Sequence, residues 1–501
     1  MLELLALGQI GAGLLRLDCE SLIQVDLPQA QIVAATVVPA GVFEPPGRNT
    51  LTPSRARRAE PLPEHCSVKL LLQPTAGSQI NVELWLPLSD WNGKFLAVGN
   101  GGWAGSIQGY GDMQEALRRG YATAGTDTGH SAEDGPAGQF ALGQPEKLVD
   151  FAYRAVHDMA VKSKRLINAF YGPPLEYSYF KGCSTGGRQA VMAAQRYPGD
   201  FDGIIAGALA NRHIHMHTVG ANRTIELTRH PERGLSEAKA ALVNDSVMAQ
   251  CDTFGEGFVN DPRQCKVDFA ALACTETDRA SGAVCLEPAQ LQTVNEFYDG
   301  VRYDDGTLVF SGQALGNPIP ALQGSAEGPG SFAFDTIRIL GFQDPEYDWQ
   351  DFDLDRDLPL IDAAVGWVDA TDPDLRAFKA HGGKLLLYAG WRDTGITPEN
   401  TVLYYESVRE ELGAEQDDWM RLFLAPGMGH CRGGPGINTF DTLSALEQWR
   451  ESGIAPAQLD GSNPQTGATR PLCSYPASAQ YTGTGVVSDA ANWICATPAD
   501  D

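Results

Sequence analysis

Three residues of this 501-residue chain have the types and order needed for nucleophilic acyl transfer. Ser184 is the centre of GCSTG, between the apolar run YSYFKG and a helix-like run. A Gly-x-Ser-x-Gly segment on a strand-to-helix turn exposes its central side chain, and the flanking glycines let backbone pass close by. A serine hydroxyl is a weak nucleophile at neutral pH. It needs a neutral imidazole to take its proton and a carboxylate to fix that imidazole's tautomer. Asp393 follows KLLLYAGWR, and His430 follows RLFLAPGMG. Serine, acid and histidine in that chain order, each after a strand, is the α/β-hydrolase arrangement. Singly, each has a bland reading: a chance GxSxG, a turn aspartate, a loop histidine. Their joint order and strand-end context carry the assignment.

Acyl transfer also needs N–H donors for the oxyanion. The N–H of Thr185, next after the nucleophile, is the first expected donor. The second is expected from the glycine-rich run GNGGWAG, at Gly101 or Gly102. Cys183 directly precedes Ser184, and Cys431 directly follows His430. Assembling the triad brings these cysteines together, and a disulfide between them would restrict the serine–histidine geometry. Cys183 as nucleophile is the weaker reading, because the turn exposes its central residue.

The elements that must position these residues are legible as alternating strands and helices. Residues 22–98 read as β-rich, with strands SVKLLLQP, INVELWLPL and KFLAVG, and GYATAGT is a further short buried strand. Residues 146–170 have helical periodicity and end at Gly172; then come YSYFKG, the serine turn, a helix over 186–196 and the strand FDGIIAGA. The pattern resumes with helix DLRAFKAHGG, strand KLLLYAG, helix ENTVLYYESVREELG and strand MRLFLAPG. Such alternation predicts an α/β fold with a parallel sheet covered by helices on both faces. Residues 210–361 break the pattern and read as an insertion above the strand ends, acting as a lid on a core of residues 1–209 and 362–501.

The charge balance, 37 basic against 63 acidic residues for a net of -26, argues against nucleic acid or an anionic membrane as the main partner. No apolar run approaches the length of a membrane helix. The ten cysteines read as pairs: Cys19 with Cys66, Cys183 with Cys431, Cys251 with Cys265, Cys274 with Cys285, and Cys473 with Cys495. With no Cys-x-x-Cys, disulfides in an oxidising compartment are the better reading than zinc, and the protein is expected to be secreted or periplasmic. The N-terminal MLELLALGQIGAGLLRL is apolar, but with Glu3 and no early basic residue it matches a signal peptide poorly as written. The sequence assigns no oligomeric state.

KGCSTGGRQAVMAAQRYPGDFDGIIAGA, GNGGWAG, ATAGTDTGH, YAGWRDTGITPENTVLYYE and PGMGHCRGGPG together resemble the tannase and feruloyl esterase family, from about residue 20 onward. The resemblance implies an α/β-hydrolase core with a lid and ester hydrolysis through an acyl-enzyme on Ser184, Asp393 and His430, clamped by Cys183–Cys431. It implies aryl ester substrates, feruloyl or hydroxycinnamoyl esters first, with galloyl esters and terephthalate monoesters as alternatives. It also implies a calcium ion in the lid, where Asp252 and Glu256 of CDTFGEGFVNDPRQC are the ligand candidates. That loop is shorter than the family pattern and lacks a middle aspartate. Calcium wants six to eight oxygens, so no cofactor is expected to be required.

Candidate substrate contacts are Trp103, Thr394 and Ile396 beside the triad loops and, in the lid, Arg338 and Trp349 with Phe332, Phe334, Tyr347 and Phe352. Each lid residue has an ordinary alternative as lid core or surface ion pair. Two rival readings are a non-catalytic hydrolase-like binding protein, which would typically have lost the serine or histidine, and a lipase for long acyl chains.

Overall fold

A computed structural model of the chain describes residues 17–46, 60–172 and 174–497. Most of the apolar N-terminal stretch lies outside the described residues. The centre of the molecule is a nine-stranded sheet. Its strands are β1 (Ala30–Val38), β2 (His65–Leu72), β3 (Ile80–Pro87), β4 (Lys94–Val98), β5 (Ala122–Thr126), β6 (Tyr177–Cys183), β7 (Gly203–Gly207), β8 (Lys384–Gly390) and β9 (Met420–Ala425), in the spatial order β1-β2-β3-β5-β4-β6-β7-β8-β9.

The sheet is mixed, which corrects the expectation of a parallel one. From β5 through β4, β6, β7 and β8 to β9 neighbours are parallel, whereas β1, β2, β3 and β5 pair antiparallel. The reason is connection length. Only residues 73–79 link β2 to β3, which allows a hairpin but no crossover helix.

Helices cover both faces. α1 (Tyr110–Arg118) links β4 to β5; α2 (Ala155–Tyr171) precedes β6; α3 (Thr185–Arg196) follows it. After β7 the chain leaves the sheet. The excursion contains α4 (His213–Arg229), further helices including Glu237–Cys251 and Pro288–Asp299, and α5 (Leu354–Val365), and the chain returns at β8. The expected junction at 361/362 falls inside α5. α6 (Pro398–Leu412) joins β8 to β9, and α7 (Thr442–Ser452) follows. On one face α2, α3 and α6 bury Met159, Leu166, Val191, Tyr405 and Val408 against the sheet. On the other, α1 and α7 bury Met113, Leu117, Leu446 and Trp449.

The predicted helix 146–170 is continuous but widened by a π turn at Asp150–Arg154. The carbonyls of Phe151 and Ala152 in that turn accept hydrogen bonds from the buried Arg188 of α3 (3.0 Å each). With the carbonyl of Val368 (2.9 Å), the widened turn thus supplies acceptors for a buried charge. After α7 come two hairpins that the sequence pattern did not reveal: β10 (Gln458–Ser462) with β11 (Thr469–Cys473), and β12 (Ser478–Tyr481) with β13 (Trp493–Ala496).

Candidate active site

Ser184 sits between β6 and α3 with φ 65° and ψ -125°, a left-handed backbone that a non-glycine residue adopts only when its surroundings enforce it. Three backbone bonds hold it. Its N–H donates to Gly207 O (3.0 Å), and its carbonyl accepts from Arg188 (3.1 Å) and Ala210 (3.3 Å). The glycines around it are required by space. A Cβ on Gly182 would collide with the backbone of Gly186, and one on Gly186 would lie 3.0 Å from Asn100 O.

Asp393 follows β8 and is fully buried. Its Oδ1 accepts the N–H groups of Gly395 (2.8 Å) and Ile396 (2.9 Å), and its Oδ2 is 2.8 Å from Nδ1 of His430. The carboxylate is therefore aimed by backbone on one oxygen and spends the other on imidazole. The bond fixes Nδ1 as the protonated nitrogen, leaving Nε2 as the acceptor. Asn317, from the excursion between β7 and β8, donates to the carbonyl of Asp393 (3.0 Å). The His430 side chain is 39% exposed, so it is reachable from solvent.

The five disulfides pair as the sequence suggested. Cys183 and Cys431 have Cα atoms 6.0 Å apart and join turns separated by 248 residues. Cys431 has φ 61°, so both the serine turn and the histidine turn carry a left-handed non-glycine residue beside this bridge.

The glycine-rich loop is registered against the serine turn by several bonds. Thr185 Oγ1 donates to Gly102 O (2.6 Å), Gly186 N–H donates to Asn100 O (2.7 Å), and Gln189 accepts the N–H of Asn100 (3.0 Å). The two candidate glycines are not equivalent. Gly101 donates its N–H to Gln108 Oε1 (2.8 Å) and so is already engaged.

The substrate candidates divide. Trp103 is 6% exposed, and its ring is buried among Phe140, Phe151, His213 and His217; its indole N–H donates to Phe332 O (2.9 Å). It therefore supports the glycine-rich loop from behind. Arg338 is spent on Asp335 (2.8 Å), whose other oxygen accepts from Gly138 (3.2 Å). Trp349 packs against Gly328 within the excursion. Phe334 and Phe352 are buried, and Tyr347 donates to Asp357 (3.0 Å). Ile396 is buried and acts through its N–H on Asp393, whereas Thr394 is exposed beside it. Phe332 differs from the other aromatic candidates of the excursion. It is 57% exposed, and its ring lies 3.5 Å from where a Cβ of Gly102 would be.

Sequence reasoning missed His130, although it ends the quoted ATAGTDTGH. Its Nε2 is 2.6 Å from the carbonyl of Trp103, so that nitrogen is the donor. Burial pushes its pKa down to about 4. Burial likewise depresses His217 to about 3 and His213 well below the usual histidine range. A layer of uncharged imidazoles thus lies under the glycine-rich loop. Nearby Asp127, raised to about 6 by burial, accepts from Asn81 and Gly129 and shapes the turn leading to His130.

Asp252 and Glu256 do not fit a calcium ion. The two oxygens of Asp252 accept the N–H groups of Glu256 (3.0 Å) and Gly257 (2.8 Å). Both oxygens of Glu256 are taken by the guanidinium of Arg470 (3.0 and 2.9 Å). Among the described residues, no group of three or more His, Cys, Asp or Glu side chains is placed to hold a metal. No described helix is long and apolar enough to cross a membrane.

The sequence pattern of tannase and feruloyl esterase matches residues 66–496. An uncharacterized esterase of Xanthomonas campestris pv. campestris is 35% identical over 535 residues, covering 95% of this chain and 91% of that one. A probable feruloyl esterase B-1 of Neosartorya fischeri is 32% identical over 512 residues, covering 94% of each. Among solved structures, feruloyl esterase B from Aspergillus oryzae superposes with a TM-score of 0.85 at 31% identity, over 95% of this chain and 99% of that one. Tannin acyl hydrolase from Aspergillus niger shares the fold, with a TM-score of 0.75 at 21% identity over 96% and 95%. With this match across most of its length, the chain belongs to the tannase and feruloyl esterase family.

Proposed function

We propose that the protein is a serine carboxylic ester hydrolase acting on esters of aromatic acids, feruloyl and other hydroxycinnamoyl esters first. The observation that carries this reading is the Asp393–His430 bond held one residue from a disulfide to the neighbour of Ser184. Relatives named as feruloyl esterases support the substrate class. The five disulfides support a secreted or periplasmic location.

Ser184 Oγ attacks the ester carbonyl carbon while its proton passes to Nε2 of His430. Asp393 stabilises the imidazolium that results. The carbonyl electrons move onto oxygen, and that oxyanion accepts from the N–H groups of Thr185 and Gly102. Gly102 is preferred to Gly101, whose N–H is committed to Gln108. Collapse breaks the ester bond, and the departing alcohol takes the proton from His430. Water, deprotonated by the same imidazole, then attacks the acyl carbon; the bond to Ser184 Oγ breaks, the serine takes the proton back from His430, and the aromatic acid leaves. The excursion between β7 and β8 acts as the lid and places Phe332 beside the oxyanion loop as an aromatic surface for the acyl group.

Phenylmethylsulfonyl fluoride labelling of Ser184, with hydrolysis of methyl ferulate, methyl gallate, mono(2-hydroxyethyl) terephthalate and p-nitrophenyl esters of graded chain length, tests the reading. Stoichiometric labelling and a preference for methyl ferulate are expected. Labelling elsewhere, or a preference for long acyl chains, would overturn it.

A further inference from the structure

The loop closed by Cys251–Cys265 is docked onto the C-terminal hairpins. Arg470, on β11, is 1% exposed. Beyond its two bonds to Glu256, its guanidinium donates to Asn260 Oδ1 (2.9 Å) and Val487 O (3.3 Å), and it stacks 3.7 Å from the ring centroid of Trp493. A buried cation is costly unless it is paired and hydrogen-bonded, and here it is both. Neighbouring bonds extend the dock: Asn260 donates to Ala479 O (3.0 Å) and Arg263 to Pro476 O (3.0 Å).

Glu256 and Asn260 flank Phe258 in the loop. Phe258 is 5% exposed and packs on Gly427, where an added Cβ would lie 2.6 Å from its ring. Gly427 has φ +64° and opens the turn Gly427–Met428–Gly429 that presents His430. Arg470 thus holds both sides of the segment whose aromatic ring braces the histidine turn.

We propose that Arg470 is a positioning residue for His430: a built-in cation that fixes the Cys251–Cys265 loop through Glu256 and Asn260, where the family resemblance implies calcium, and presses Phe258 against the histidine turn. The proposal rests on the reading of His430 as the general base. It separates two things that a metal-bound loop would combine. Loop order depends on a side chain of this protein, and it is indifferent to divalent cations.

The test uses the full chain and two variants, Arg470→Met and Phe258→Ala, with Arg470→Lys for rescue. For the wild type, neither EDTA nor added calcium chloride should shift the melting temperature or the rate. Arg470→Met should lose about tenfold or more in kcat with KM little changed, because a small misplacement of the imidazole slows chemistry without altering the binding surface. Phenylmethylsulfonyl fluoride should label Ser184 correspondingly more slowly. Arg470→Lys should restore part of the rate, and Phe258→Ala should reproduce the kcat loss without any change of charge. If Arg470→Met does not fold, Phe258→Ala decides. Unchanged kcat in a folded Arg470→Met or Phe258→Ala protein overturns the proposal, as does a loss confined to KM. An EDTA-induced fall in melting temperature that calcium reverses overturns it too. Failure of the underlying reading is seen separately, as turnover that survives Ser184→Ala.

Discussion

Cys183 and Cys431 are joined with Cα atoms 6.0 Å apart, and each is the chain neighbour of a residue assigned to catalysis. The bridge closes a very long loop, and on the chain-entropy model, which is disputed, it contributes ~5 kcal/mol. Four other disulfides and a large buried core remain without it. Replacing both cysteines by alanine should therefore lower the melting temperature yet leave a folded protein, while kcat falls by orders of magnitude. Rate and melting temperature measured on the same double variant decide the matter. Near-normal turnover would reduce the bridge to a staple.

Asp393 offers a second test, because its two oxygens have different work. Oδ1 accepts two backbone N–H groups and Oδ2 accepts from His430. In Asp393→Asn one of those positions must be filled by an NH2 group. If the amide oxygen keeps the two N–H groups, the NH2 faces Nδ1 and imposes the wrong tautomer on the imidazole. A fall in kcat of about 10⁴ is expected on the precedent of such triads, with the melting temperature only modestly changed. Retention of a large share of the wild-type rate would mean that His430 is not oriented by this carboxylate.

Much of this arrangement was legible in the sequence because triad chemistry is tied to local grammar. Ser184, Asp393 and His430 each follow an apolar strand, and the two cysteines flank two of them. What stayed hidden depends on direction and on distant partners. Alternation of apolar and polar residues marks a strand without giving its direction, so the antiparallel pairing of the β1–β3 half of the sheet was not distinguished. Which way Trp103 faces, or that Gly101 is committed to Gln108, is set by the fold around the loop. Arg470 in TRPLC gives no local hint of its role, since Glu256 lies 214 residues away.

His130 makes stability depend on pH in a predictable direction. In the folded protein burial holds its pKa at about 4, against ~6.5 for an unperturbed histidine. Between those values the unfolded chain binds the proton and the folded one resists it. The contribution of His130 is therefore complete above the unfolded value and is lost as pH falls from about 6.5 toward 4. His130→Gln keeps an N–H donor for the Trp103 carbonyl but does not titrate. The gap in melting temperature between wild type and variant should be widest near neutrality and should narrow by about pH 4.5. A gap independent of pH would show that the imidazole is not held neutral by burial.

Phe332, in the excursion between β7 and β8, has an exposed ring beside Gly102 of the glycine-rich loop, and its backbone carbonyl is fixed by the buried indole of Trp103. The ring is thus presented without the cost of ordering a free loop. An aromatic contact of this kind contributes about 0.5–1.5 kcal/mol beyond area burial. Phe332→Ala should therefore raise KM for methyl ferulate by roughly two- to tenfold, at 1.4 kcal/mol per factor of ten. It should barely alter hydrolysis of p-nitrophenyl acetate, whose acyl group has no ring. The backbone bond to Trp103 survives the substitution, so the melting temperature should hold. Equal losses on ferulate and acetate would place Phe332 in the support of the oxyanion loop, and its role in choosing aromatic acids would fall.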